Sequence, residues 1–440
     1  MGQSDLRPSA SPSPLLRAGA GNALVGGSHR TATGMGCVRG LFPRGSRSSM
    51  LALRMSDEPR VWDRFDDVLA PPPDPALPEI VFLAGFLGLH LARPSGERVW
   101  LTPGQFALGD VARALRFDSG AEPLWPDGLN HIVYRDMVTD LRRAGFAVHA
   151  LNFDFRKSVL TIAEELRVAL EALGPNRRFV FVSHSMGALV AAVYPHVDSA
   201  WQSRIERSIF LGGPLAGTFE VVDAGIGVHS IIRRLAILSL RNDAADYAAC
   251  MRTWPALYDM LPDPAWFKGG DAAFEDSHWP AAMKPSSRLL EAARRTREKL
   301  VTSPLFGAVP CAQLLSLRFA TADTYADGRI ASAPGAAPGD GTVAARTATF
   351  GGIPAYRVDL PHTLIPLDPK AIRGVIELAK TGVTSLPGVT PSEVSGRARD
   401  GEPTLEDIMS SYAITELTRA PRDGLSLLHV CWLLGPGAWW

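Results

Sequence analysis

Three residues of this chain carry side chains suited to moving an acyl group, and they occur in the order serine, aspartate, histidine: Ser185, Asp340 and His362. A serine hydroxyl is a weak nucleophile at neutral pH. It needs an imidazole to take its proton and a carboxylate to hold that imidazole in one tautomer. Ser185 lies in Ser183-His184-Ser185-Met186-Gly187, with a small residue two places to either side. A sharp strand-to-helix turn with a serine at its apex leaves no room for larger side chains there. Ser183 stands where a glycine would tolerate unusual dihedrals better. Each residue also has a plainer reading. Ser185 could cap a helix, Asp340 between Gly339 and Gly341 could be a turn residue, and a lone histidine after a strand is more often structural. Their combination, each following a predicted strand, is far more specific than any one of them.

The elements that must position these residues are legible as apolar runs. Phe179 to Val182 reads as a strand buried on both faces, and Ala188 to Val193 as a tightly packed helix. Ile80 to Ala84 reads as a second buried strand. It runs into Gly85-Phe86-Leu87-Gly88, a glycine loop whose N–H groups could approach a ligand, or else an ordinary turn. Phe146 to Leu151, Ile205 to Leu211, Gln313 to Phe319 and Tyr356 to Leu360 supply further strands, and 134–144, 161–173 and 371–379 read as helices. Such alternation predicts a parallel sheet covered on both sides. Asp154 and Arg156, at the end of the 146–151 strand, are read as a pair pinning their loop.

Two stretches break the rhythm. Residues 92–131 look loop-rich, with exposed-looking Trp100, Phe106 and Trp125, and loops of that length are often lids. Residues 218–300 read as a helical cap that places Ile231, Ile232, Leu235, Ile237, Leu238, Trp254, Trp266 and Phe267 over the sheet. The expected organisation is an N-terminal arm (1–55), a proline-rich linker (56–78), an α/β domain (79–382) and a C-terminal tail (383–440) with an unassigned apolar patch at 427–434.

Composition narrows the field. In 440 residues, 46% hydrophobic and 20% charged is ordinary globular usage. Residues 1–54 hold seven arginines, no lysine and one acid, a bias that resembles a transit peptide or sequence upstream of a start at Met55, and they are expected to be disordered. The remainder is net acidic, so it has no electrostatic reason to bind nucleic acid. Cys37, Cys250, Cys311 and Cys431 are too scattered for a zinc site or a disulfide framework. No run of 18 apolar residues and no secretory leader is present, so the expected location is cytoplasmic or peripheral to a membrane.

The order Ser, Asp, His at strand ends is that of the α/β-hydrolases, and the chain resembles one family of them, the lecithin–cholesterol acyltransferase family (the lysosomal phospholipase A2 and phospholipid:diacylglycerol acyltransferase type). The resemblance spans about residues 79–380 and rests on Gly85 to Gly88, on Phe153-Asp154-Phe155-Arg156 (the family's Tyr-Asp-Trp-Arg), and on Ser183 to Gly187. It continues through Trp254 to Pro262 (the family's Pro-Ser-x-Tyr-x-Leu-Leu-Pro), Gly339-Asp340-Gly341-Thr342-Val343, and His362 with Ile365-Pro366. The chain departs from the family in Ser183, in Ala188 for glycine, and in lacking a cysteine pair around the first lid segment. The resemblance implies an α/β-hydrolase fold, with a mostly parallel sheet, helices on both faces and an inserted helical cap. It also implies a Ser185-Asp340-His362 triad, an oxyanion hole from the N–H groups of Phe86 and Met186, no cofactor or metal, and a lipid or ester substrate met in transient contact with a membrane surface. A soluble short-chain carboxylesterase and a non-catalytic binding or sensor module on the same scaffold are the competing expectations.

Overall fold

A computed structural model describes residues 60–401, apart from positions 64, 66–69, 101, 268, 326–336 and 349. The expectations for the 1–55 arm and for the apolar patch at 427–434 lie outside the described residues.

The first strand, β1 (Glu79–Leu83), is an Ile-Val-Phe-Leu run buried on both faces. It is followed by β2 (Leu89–Ala92), β3 (Arg98–Trp100), the short helices α1 (Pro103–Leu108) and α2 (Val111–Ala114), and β4 (Trp125–Leu129). Helix α3 (His131–Arg143) starts where the Asn130 side chain accepts from the Ile132 N–H, one of the donors a first turn leaves unpaired. Strand β5 (Val148–Ala150) leads to α4 (Val159–Leu173), capped by Ser158 and stopped at Gly174, whose φ of 126° suits only glycine. Then come β6 (Phe179–His184), α5 (Met186–Val193), the single turn α6 (Trp201–Arg204) and β7 (Ile205–Leu211). The cap helices are α7 (Glu220–Ile226), α8 (Ser230–Leu238), α9 (Ala244–Met251), α10 (Pro255–Asp259) and α11 (Ser287–Val301). The chain re-enters the sheet with β8 (Cys311–Leu315), makes the hairpin-like pair β9 (Phe319–Thr321) and β10 (Ala337–Gly339), and passes through α12 (Ala345–Ala348). It closes with β11 (Ala355–Arg357) and α13 (Pro369–Thr381), capped by Asp368.

The central sheet has the order β11-β8-β7-β6-β1-β5, and every neighbouring pair is parallel. The chain leaves β1 for β5 on one side and returns to β6 on the other. Open α/β sheets bind ligands at the carboxyl ends of strands where the order reverses in this way. Gly85 and Ser185 both follow strands at that crevice.

Three expectations need correction. The 92–131 stretch is not a bare loop, because β2, β3 and β4 form a small antiparallel sheet. Trp100 and Phe106 are buried, with the Trp100 indole donating to the Leu87 carbonyl at 3.1 Å and packing on Phe106 and Phe155. The 56–78 linker packs at three described residues: Trp62 bridges Leu151, the Asp63 N–H donates to the Ala150 carbonyl, and Phe65 is buried. The tail from 383 also packs at first, since the Val389 N–H donates to the Ala355 carbonyl and the Arg357 N–H to that of Pro387, fixing 387–389 along β11.

The Asp154–Arg156 pair is buried and two-pronged, with Nε to Oδ1 at 2.9 Å and Nη2 to Oδ2 at 2.7 Å. Arg156 Nη1 also donates to the carbonyls of Leu115 and Arg116, and the guanidinium lies over the Phe117 ring. One arginine thus ties the end of β5 to the α2 region. Removing it leaves the Asp154 charge buried without its partner, a change that costs about 3–5 kcal/mol. Arg156→Leu is expected to lower the unfolding free energy by that amount in urea titration. A loss under about 1 kcal/mol would mean the pair adds little beyond its exposed counterparts.

Candidate active site

Ser185 begins where β6 ends. Its backbone has φ 52° and ψ −124°, a conformation a non-glycine residue rarely holds unless its surroundings impose it. It occupies the N-cap position of α5, yet its side chain makes no capping bond. The hydroxyl is turned to His362 instead, with Oγ 2.9 Å from Nε2. The small flanks have concrete causes. A Cβ at Gly187 would run into the Leu83 carbonyl and lie 2.8 Å from that of Ala84.

His362 opens a short 3-10 turn after β11, and its Nδ1 lies 2.7 Å from Asp340 Oδ2. A carboxylate at Nδ1 requires the proton to sit there, which leaves Nε2 free to accept from the serine hydroxyl. Asp340 is held by its own turn, for its Oδ1 accepts the N–H groups of Thr342 at 2.9 Å and Val343 at 2.7 Å. The Gly341 N–H donates to Thr321 Oγ1, and the His362 N–H donates to the Asp340 carbonyl at 3.0 Å. All three residues are nearly closed off from solvent, with relative exposures of 8% for Ser185, 7% for His362 and 2% for Asp340. Asp340 does not follow a strand of the central sheet as expected. It follows β10, in an excursion between β8 and β11. Asp323 pairs with Arg346, which reaches both its carbonyl and its carboxylate, and Asp327 lies outside the described residues.

The glycine loop after β1 lies against the serine. A Cβ on Gly85 would come within 2.8 Å of the Ser185 Cβ. The Gly88 N–H donates to the Gly85 carbonyl at 3.1 Å, and Leu87 takes φ 63°, the left-handed value that the third position of a type II turn demands. Outside the turn, the Asn130 N–H holds the Gly88 carbonyl and the Trp100 indole holds that of Leu87. Phe86 is half-buried, edge-on to Phe155 and Trp254. Phe86 and Met186, the expected oxyanion donors, therefore belong to two backbone segments that meet at Ser185.

Three neighbours carry no sequence signal of their own. Gly212, after β7, has φ 57°, and a Cβ there would sit 3.0 Å from both Asp340 Oδ2 and His362 Nδ1. His184 and Tyr134 are buried beside the serine, with Tyr134 Oη 3.0 Å from His184 Nδ1. Among the described residues no cluster of His, Cys, Asp or Glu is arranged to hold a metal ion.

No protein-family model matches the chain, and no curated protein matches it in sequence. Among solved structures, the Tle4 and Tli4 complex aligns over 70% of this chain and 99% of the other, with TM-score 0.50 and 11% identity. The parallel sheet and the serine elbow after β6 decide the fold. It is the α/β-hydrolase fold. Looser alignments to solved structures include the mature lipase BlEst2 of Bacillus licheniformis, with TM-score 0.31, 16% identity, and 57% of this chain and 70% of the other covered. The proline iminopeptidase-related protein of Thermus thermophilus aligns with TM-score 0.30 and 17% identity over 70% of this chain and 90% of the other. Within this α/β-hydrolase scaffold the cap helices α7 to α11 occupy the break between β7 and β8. No helix among the described residues is long and apolar enough to cross a membrane.

Proposed function

We propose that this chain is a serine hydrolase acting on acyl esters, with lipid esters as its substrate class. The observation that carries the reading is the continuous row Asp340, His362, Ser185, with its hydroxyl end on a strained turn beside a glycine loop. Ser185 Oγ attacks the ester carbonyl carbon while its proton passes to His362 Nε2, and the carbonyl electrons move onto oxygen. The N–H groups of Phe86 and Met186 meet that oxyanion, each worth about 3 kcal/mol in the transition state. Asp340 accepts from Nδ1 and stabilises the imidazolium. Collapse expels the alcohol, which leaves with the proton from Nε2 and leaves the acyl group on Ser185. Water then enters by the same proton route, or a second alcohol does so in an acyl transfer.

The lipid reading is supported by the motif blocks shared with the lecithin–cholesterol acyltransferase family. It is supported also by the half-buried Phe86 ring on the glycine loop beside Ser185. A short-chain esterase has one observation in its favour. Ile232, Leu235, Trp254 and Phe267, expected to offer apolar surface in the cap, are buried in the core, Trp254 against Phe86 and Phe155. An acyl-chain series separates the two, because each methylene taken from water adds about 0.8 kcal/mol. On the lipid reading kcat/KM rises from C4 to C10 esters and rises again on vesicles or micelles. A steady fall beyond C4 with no gain at an interface would make the enzyme a short-chain esterase. The same series run with an added alcohol distinguishes transfer from hydrolysis by its products.

A further inference from the structure

We propose that Tyr134 and His184 are positioning residues that tie the glycine loop beside Ser185 to the backbone of His362, an inference resting on the reading of this site as a serine hydrolase. The connection is a single row of hydrogen bonds through the protein interior. The Gly85 N–H donates to Tyr134 Oη at 2.9 Å. Tyr134 Oη lies 3.0 Å from His184 Nδ1, and His184 Nε2 lies 3.1 Å from the His362 carbonyl oxygen. A carbonyl only accepts, so His184 carries its proton on Nε2. Nδ1 is then an acceptor, and the tyrosine hydroxyl must be its donor. Tyr134 Oη in turn has a lone pair free for Gly85. One arrangement of protons satisfies every group in the row.

The surroundings hold that arrangement in place. His184 and Tyr134 are buried, and burial pushes the His184 pKa well below its usual value, with the nearby His362 ring adding to the effect. His184 therefore stays neutral when His362, with its ring centroid 4.9 Å away, takes the serine proton. The Tyr134 hydroxyl is likewise held protonated by desolvation. Space is fitted to the hydroxyl from both ends of the loop. A Cβ on Gly85 would lie 3.2 Å from Tyr134 Oη, and one on Gly88 would lie 2.7 Å from it. The two glycines thus bracket the Tyr134 hydroxyl, and Phe86 lies between them.

The row sets the distance between the oxyanion donor at Phe86 and the imidazole at His362, two groups that must serve one reacting carbon together. Losing the row leaves substrate contacts in place and spoils an alignment needed only in the transition state. It should therefore lower kcat more than it raises KM.

Tyr134→Phe keeps the ring packed edge-on to Phe82 and removes only the hydroxyl. His184→Leu removes both ring nitrogens, and His184→Gln restores a donor near the Nε2 position. Esterase kinetics and the rate of phosphonylation by a fluorophosphonate would be measured well below each variant's melting temperature, beside wild type and Ser185→Ala. Tyr134→Phe and His184→Leu are expected to lose about 10- to 100-fold in kcat and in phosphonylation rate, with KM within about threefold of wild type. His184→Gln is expected to recover much of the loss. If Tyr134→Phe keeps kcat within about twofold of wild type, or if the losses fall wholly on KM or follow only the unfolded fraction, the row has no positioning role. His184→Leu failing to fold would leave Tyr134→Phe to decide. A wild type without Ser185-dependent turnover would overturn the hydrolase reading itself, an outcome separate from the failure of the row.

Discussion

Ser185→Ala is expected to lower ester turnover about a million-fold while leaving the fold in place, since removal of a serine nucleophile elsewhere costs about that much. The serine side chain makes no capping bond for α5, and its hydroxyl is directed at His362, so the alanine variant loses chemistry rather than a helix start. Residual turnover of about 10³-fold over water would remain from the oxyanion donors alone. Hydrolysis of a chromogenic ester by wild type and variant, with circular dichroism to confirm the fold, is the measurement. Activity within about tenfold of wild type would mean that another group attacks the ester.

The second large effect is at the carboxylate. Asp340→Asn keeps an oxygen for the N–H groups of Thr342 and Val343, so the turn should survive. Its amide, however, donates toward Nδ1 of His362, which drives the imidazole proton to Nε2. A protonated Nε2 cannot take the serine proton, and a loss of about 10⁴-fold in kcat is expected. Asp323→Asn should be nearly silent, because Asp323 is engaged by Arg346 and not by His362. The reverse ranking would place the acid of the site in the wrong loop.

How much of this was legible in the sequence follows from what kind of contact produced each element. The runs at 80–84 and 179–182 are readable because a strand buried on both faces must be apolar without interruption, whereas 205–211 carries that signal only over Ile209 to Leu211. The serine was readable for a related reason, since a turn pressed against β1 admits only small flanks. Asp340 was readable by its glycines, but its supporting strand was not. β10 is three residues long and contains Pro338 and Gly339, which carry no strand signal. Trp100 and Phe106 look exposed because prolines and charges surround them, whereas burial comes from partners distant in sequence, Leu87 and Phe155 for Trp100 and Tyr247 for Phe106. The packing of Trp62, Asp63 and Phe65 in the 56–78 segment was invisible for a similar reason. A single bridge from Trp62 to Leu151 leaves no periodic pattern. Gly212 reads as an ordinary loop glycine, and only the position of its missing side chain, against Asp340 and His362, gives it a role. Tyr134 and His184 look like unrelated members of a helix and a strand until the fold brings them together.

A serine activated by His362 should be trapped covalently by a phosphorus electrophile. The protein is treated with a fluorophosphonate, its intact mass is recorded, and the modified peptide is sequenced by mass spectrometry. One phosphonyl group per chain is expected, carried on Ser185, with no adduct in Ser185→Ala or in protein unfolded before treatment. An adduct on any other residue, or labelling that persists in Ser185→Ala, would contradict it.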